Sequence, residues 1–494
     1  MQPSPLGELL GEIETLRAAI GRDAEPALAR WAGWIQRPDF VPSGRNFAHY
    51  LALRHHDIRP LQRRLMRAGL SSLGRVEGRV MPALDAVRDM LLRAAGSAPQ
   101  PVALTDEFFA GEARIAARAE GMLGPLLHHG AVRMMVTLPA QAAEAPEFVE
   151  RLAAQGVEAV RINCAHDEAE AWGRMIANVG RAAERTGTRM RVMMDLAGPK
   201  IRTGPLRETK GLKRVARGDD LAIALPGMLD KMPAQMPAVE CTLPEALAAV
   251  QPGHRIFIDD GKLCTRVLSC APWGAVVHVE IGPDDKGYRL KPEKGINFPD
   301  TDFEIAALTA EDREALRFAA QHADGIEFSF VQTPEDVAQL QEVLAAERAD
   351  WQTLGLVLKI ETLRAVRNLP DLIVRAAGQQ PTAVMIARGD LAVEIGFARL
   401  AEMQEEILWL CEAAQVPVIW ATQVLESYLK TGVPSRGEMT DAAMAARAEC
   451  VMLNKGPYLF EALAELDQLL DRMSQHMAKK TPQLRPLQSW RSEA

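Results

Sequence analysis

Long apolar runs are missing from this chain. No stretch of about 18 uninterrupted apolar residues occurs, which speaks against a membrane-spanning helix. The start, Met1-Gln-Pro-Ser-Pro, has no basic segment followed by an apolar one, so no secretory signal is expected. Cysteine is sparse and scattered: Cys164, Cys241, Cys264, Cys270, Cys411 and Cys450 form no Cys-x-x-Cys pair. That pattern excludes a disulfide framework or a Cys-rich zinc site and suits the reducing cytoplasm. An excess of positive charge is also lacking. The formal net charge is -8 and the pI about 5.8, which argues against general nucleic-acid binding. The expectation is a cytoplasmic protein with neither a membrane nor a nucleic acid as partner.

The remaining composition is that of a folded globular protein, with 48% hydrophobic and 25% charged residues. At 494 residues it should hold two or three domains. Residues 1–125 read as a helical region, with Leu, Ala and Arg at helical spacing. Within it, 41–80 carries eight Arg against Asp57 and Glu77. This is read as a helical face packed against acidic parts of the same chain, in preference to a surface for an anionic partner.

From about 131 the texture changes. Eight short apolar runs (133–138, 159–163, 189–195, 325–330, 355–361, 383–388, 417–422 and 450–454) alternate with amphipathic helical segments. Near-continuous apolar strands separated by helices indicate a parallel sheet covered on both faces. Eight such units favour a closed (β/α)8 barrel, assigned to 126–206 and 294–478, with its chemistry at the C-terminal strand ends. Between the third and fourth strands lies an insertion of different character, punctuated by Gly, Pro and Asp. It reads as a small β domain, 207–293, that would act as a lid. Residues 479–494 read as a polar tail.

The strand ends carry the chemistry. Strand alternation puts Lys359 and Glu361 on one side, two residues apart. Asp390 follows the next strand. Two carboxylates from adjacent strands suit Mg²⁺, which takes few protein ligands. A neighbouring Lys suits the charge of a phosphoryl group in transfer. Arg161 and Asn163 end the second strand, Asp195 the third and Thr422 the seventh. Gly389 would let backbone amides approach an anion closely.

Six stretches, MDLAGPKIRTG (194–204), FIDDGKL (257–263), EKGINFP (293–299), LKIETLRAVRNL (358–369), MIARGDLAVEI (385–395) and ATQVLESYLKTGVPSRGEMTDAA (421–443), resemble the pyruvate kinase family. The resemblance covers about 130 to 460. It implies transfer of the phosphoryl group of phosphoenolpyruvate to ADP, giving pyruvate and ATP, with Mg²⁺ (or Mn²⁺ in its place) and commonly as a homo-oligomer. It further implies Lys359 as the cation on the transferring group, Glu361 and Asp390 as Mg²⁺ ligands, and Arg161 on the phosphoryl group. Ser329, Phe330, Gly389, Asp390 and Thr422 would surround the substrate, Thr422 near the route of enolate protonation. Thr137, Asn163, His166, Arg202 and Lys294 would face the nucleotide. Here Thr137-Leu138-Pro139 is one residue shorter than the family's segment.

Several departures matter. That family's potassium site uses oxygens from Asn, Ser, Asp and Thr. Asn163 and Asp195 remain, but Ala165 and Leu196 replace the others, and Lys200 stands where the family has Glu. An ammonium at Lys200, with Asn163 and Asp195, would replace the monovalent cation, so K⁺ should not be required. The segment after Leu453 is rebuilt, and Ala197 replaces a family Lys. No counterpart of the family's C-terminal regulatory domain is expected, nor activation by sugar phosphates through it. A phosphoenolpyruvate or nucleotide sensor, and a metal-dependent barrel enzyme of another pyruvate reaction, stay open as alternatives. Retention of Lys359 disfavours the first, and the lid with Lys294 disfavours the second.

Overall fold

Runs such as Val-Arg-Ile and Val-Met-Ile leave little choice but extended backbone, and burying both their faces closes them into a barrel. A computed structural model describes residues 5–96, 106–127, 130, 132–207, 214–233, 235–283, 287–303 and 305–482. The first barrel strands are β1 (Arg133–Thr137), β2 (Ala159–Asn163) and β3 (Arg191–Asp195). The inserted unit follows, with β4 (Thr203–Arg207), β5 (Asp220–Ala224), β6 (Ala238–Cys241), β7 (Arg255–Ile258), β8 (Leu263–Ala271), β9 (Gly274–Ile281) and β10 (Ile296–Asn297). The barrel then resumes with β11 (Gly325–Phe328), β12 (Gly355–Ile360), β13 (Thr382–Ala387), β14 (Val418–Ala421) and β15 (Cys450–Leu453). The closed order is β1-β15-β14-β13-β12-β11-β3-β2, every neighbour parallel. The eight-stranded α/β barrel expected from the apolar runs is the fold.

Alternation sorts each strand. Met135, Ala159, Met193, Val357, Met385, Ile419 and Cys450 pack inside the barrel. Val136, Val160, Met194, Ile326, Phe328, Leu358 and Ile386 face the surrounding helices. The register aligns Asn163 with Asp195 and Asp195 with Glu327, so charged residues share one layer above the apolar interior.

The N-terminal helices α1 (Pro5–Trp31), α2 (Val41–Leu53), α3 (Arg59–Arg67), α4 (Val80–Ala94) and α5 (Ala110–Leu123) have no core of their own. Their Ile13, Trp31, Phe47 and Leu91 belong to the same apolar cluster as the barrel's outer layer. Trp31 Nε1 donates to Asp371 Oδ1 at 2.7 Å. Asn46 donates to the carbonyls of Glu77 (2.7 Å) and Ala413 (2.8 Å) and accepts from Val80 N. Gly378 allows the closest approach: a Cβ there would lie 2.6 Å from the Trp34 carbonyl oxygen. At the barrel floor, Met122 and Leu123 of α5 join the interior cluster. The arginines of 41–80 pair largely within this helical region. Arg64 meets Glu8 and Glu12, Arg79 meets Glu112, Arg59 meets Asp57, and Arg54 lies over Tyr50 and Trp409.

The inserted sheet, ordered β10-β7-β8-β9-β5-β6-β4, has a separate core that includes Ile223, Val239, Ile256 and Val277. It reaches beyond the expected 207–293 at both ends. β4 pairs with β6 (Thr203 with Cys241) and β10 with β7 (Ile296 with Ile258), drawing both linkers into the sheet. The expected tail also begins with structure. Met477–Ala478 and Thr481–Pro482 form a short hairpin whose Lys479 and Lys480 pair with Glu449 and Glu77. Residues 483–494 of that tail lie outside the described residues. Among the described residues no helix is long and apolar enough to cross a membrane.

Candidate active site

Four adjacent barrel strands deliver charged side chains to the C-terminal mouth: Arg161 from β2, Asp195 from β3, Glu327 from β11, and Lys359 with Glu361 from β12 and its end. Lys359 from β12 is its centre: its ammonium lies 2.9 and 3.1 Å from the two oxygens of Asp195, 2.6 Å from Ser329 Oγ and 3.5 Å from Glu361 Oε1. Ser329 Oγ donates to Asp195 Oδ1 at 3.0 Å. Arg161 from β2 donates from Nε to Asp195 Oδ2 (2.9 Å), makes a second contact to that oxygen from Nη2, and reaches Thr137 Oγ1 from Nη1 at 3.1 Å. A cavity of about 190 Å³ opens over this layer.

The fields in this layer are set by burial and close charges. Burial disfavours the Lys359 ammonium, yet Asp195 and Glu361 hold its proton more tightly than an ordinary lysine does. Burial likewise works against ionised Asp195, but Arg161 and Lys359 keep its carboxyl below the usual range. Burial pushes Glu361 up to about 6, with the charge of Asp390 adding to it and Lys359 opposing. That mutual repulsion of two carboxylates is a site that welcomes a cation.

Asp390 sits in the first turn of the helix Arg388–Ile395. Both its oxygens face the Lys200 ammonium, at 3.1 and 3.3 Å. This corrects the expected grouping of Lys200 with Asn163 and Asp195. Asp195 is already taken by Arg161, Lys359 and Ser329, and Asn163 Oδ1 accepts from Ala165 N in its own turn, so the ammonium meets the next free carboxylate. Lys200 thus places its ammonium at Asp390. Glu361 and Asp390 fit a Mg²⁺ ion: hard oxygen donors from neighbouring elements, one repelling the other, with an ammonium beside each of them. Among the described residues no trio of His, Cys, Asp or Glu could hold a metal, but an ion completed by substrate oxygens needs only two.

The loop after β14 is strained in a way that structure elsewhere must hold. Thr422, Gln423 and Leu425 have φ of 64°, 55° and 50°, sparsely populated for residues with side chains. Arg388 supplies part of that support. It donates to the carbonyls of Ala421 (2.9 Å) and Thr422 (2.5 Å), pairs with Asp441, and lies over the Trp420 ring. Thr422 Oγ1 in turn accepts from Gly389 N at 2.8 Å. A Cβ on Gly389 would make only ordinary contacts, so within the protein alone its amide position does not demand glycine. Gly198 is different: φ is +69°, and a Cβ would meet Phe330 and Ser329 within 3 Å. Phe330 has φ 55°, and its amide donates to Glu361 Oε2 at 2.6 Å.

The expected nucleotide contacts divide. Asn163, His166 and Arg202 line the same cavity, His166 exposed at its rim and Arg202 donating to Glu293 O at 3.1 Å. Thr137 lies beneath, bound to Arg161. Lys294 is turned to Asp259 of the inserted sheet, 3.3 Å away, and does not line the cavity. Two residues at the mouth escaped the sequence reading, Arg388 and Glu327. Glu327 had a signal: a carboxylate inside the strand Gly-Ile-Glu-Phe, at the parity that faces the lumen.

Residues 131–462 match a family model described as the barrel domain of pyruvate kinase. A pyruvate kinase of Methylorubrum extorquens is 33% identical over 67% of this chain and 66% of its own length. Pyruvate kinase 1 of Trypanosoma brucei brucei is 32% identical, over 68% of this chain and 65% of its own. A pyruvate kinase of Geobacillus stearothermophilus is 31% identical, over 68% and 55%. In each case the aligned part spans less than two thirds of the relative.

Proposed function

The chain belongs to the pyruvate kinase family, and from that premise we propose that it transfers the phosphoryl group of phosphoenolpyruvate to ADP, giving pyruvate and ATP. The observation that carries this reading is the convergence of Lys359, Arg161, Glu361 and Asp390 on one small polar mouth. Arg161 and Lys359 attract and orient the phosphoryl group, and the fixed Lys359 ammonium opposes the charge that spreads over its oxygens in transfer. The P–O bond to the enolate breaks as the ADP oxygen bonds to phosphorus. The enolate then takes a proton at its methylene carbon, with the Thr422 hydroxyl beside it. Mg²⁺ (or Mn²⁺), held by Glu361 and Asp390, would neutralise substrate oxygens. Ser329, Phe330 and the amides of Gly389 and Asp390 would surround the substrate, with Asn163, His166 and Arg202 toward the nucleotide. Thr137 would act through Arg161. Lys294 would have to leave Asp259 to reach the nucleotide.

The proposal extends to ions. Lys200 supplies a fixed positive charge at the mouth, so turnover should not require K⁺. The test is pyruvate formation from phosphoenolpyruvate, ADP and Mg²⁺, followed by coupled oxidation of NADH. Turnover is expected, and no pyruvate above the uncatalysed level would refute the reading.

A further inference from the structure

Glu327 is a fully buried carboxylate without an assigned task. It projects from β11 into the lumen, between outward-facing Ile326 and Phe328, with 0% of its surface exposed. Its Oε2 lies 3.2 Å from Arg161 Nε, yet among the described residues neither oxygen accepts a well-formed hydrogen bond. The charged groups facing it are Asp195 from β3, Arg161 from β2 and Lys359 from β12. Burial and Asp195 push it up to about 7 against the two cations. Burying a carboxylate this poorly satisfied costs stability. Seating Arg161 does not account for it, because Asp195 already holds both Nε and Nη2. What Glu327 adds at that point is negative charge.

We propose that Glu327 is a positioning residue that acts through Arg161, damping the charge this guanidinium presents and so setting how tightly the mouth holds an anionic substrate. This rests on the reading above, in which Arg161 meets a phosphoryl group. Damping would favour release over retention, weakening the hold on the bound substrate without altering the chemical step.

The test uses the full-length chain with Mg²⁺ at pH 8, where the carboxylate is charged. E327Q keeps the shape and removes the charge. The KM for phosphoenolpyruvate should fall about tenfold, with kcat within about twofold of the parent. The Kd of oxalate, a dianion measured by calorimetry without turnover, should fall by a similar factor. E327D keeps the charge but withdraws it by one methylene, and its oxalate Kd should fall by a smaller factor. Melting curves establish that each variant is folded, and if E327Q is not, E327D carries the test. An oxalate Kd equal to or weaker than the parent's in a folded variant overturns the proposal. Tightened oxalate binding in a protein that makes no pyruvate would leave it standing and remove the functional reading instead.

Discussion

Replacing Lys359 by Met removes one charge from the mouth and little volume. The ammonium lies 2.9 Å from Asp195 and is enclosed, with 10% of its side chain exposed. A phosphoryl group in the cavity would come within about 4 Å of it, where a unit charge is worth about 4 kcal/mol at an effective dielectric of about 20. If that interaction is made mainly in the transition state, kcat falls about a thousandfold. KM should change far less, because Arg161 and the metal remain. Asp195 keeps Arg161 and Ser329, so the cluster retains its outline, although breaking a buried pair can cost about 3–5 kcal/mol of stability. The assay is therefore steady-state pyruvate formation together with a melting curve. A folded Lys359→Met protein with kcat within tenfold of the parent would show that the ammonium does not act on the transferring group.

Removing K⁺ and Na⁺ from the buffer should change turnover less than about twofold, and strong stimulation by K⁺ would exclude Lys200 as the substitute cation. Leu123→Ala opens a cavity at the barrel floor, where Leu123 is 0% exposed. It should cost about 3 kcal/mol and lower the melting temperature by several degrees, whereas an unchanged melting temperature would mean that α5 is no part of the barrel's cooperative unit. The metal-free protein should melt at a higher temperature at pH 5 than at pH 8. Burial raises Glu327, Glu394 and Glu412 to about 7, so their protonation stabilises the fold below the unfolded value near 4.5, and that contribution is lost as pH rises through about 7. His49, lowered by burial, works the other way between pH 5 and its ordinary value, but it is one group against these three and Glu361, which burial raises to about 6. Differential scanning calorimetry across that range decides it, and a melting temperature that rises toward pH 8 would contradict the assignment.

Much of the architecture was legible from pattern alone. Strands buried on both faces read as continuous apolar runs, and each of the eight lies on its run with ends that agree to within two residues. The insertion was legible as a change of texture. Its limits were not, because Thr203–Arg207 and Ile296–Asn297 become strands only by pairing with β6 and β7, a contact no local propensity encodes. The helical nature of the N-terminal region was legible as well. Its position was not: the same amphipathic stripe serves a free-standing bundle or a barrel cover, and Met122, Leu123 and Asn46 reveal the choice only through their partners.

At the mouth the division is the same. Alternation along single strands already set Lys359 beside Glu361 and put Arg161 and Asp195 on the lumen side of neighbouring strands, since side-chain parity is a property of the chain itself, with Asp390 just past the end of β13. Which charge pairs with which was decided by closure of the barrel. Asp195 could accept Arg161 and Lys359 only once β2, β3 and β12 were brought round one lumen, and with Asp195 occupied, Lys200 paired with Asp390 instead. The sequence determined the inventory of charges and the side on which each emerges; the tertiary structure decided their partners, because in a crowded, weakly screening interior the nearest unsatisfied charge prevails.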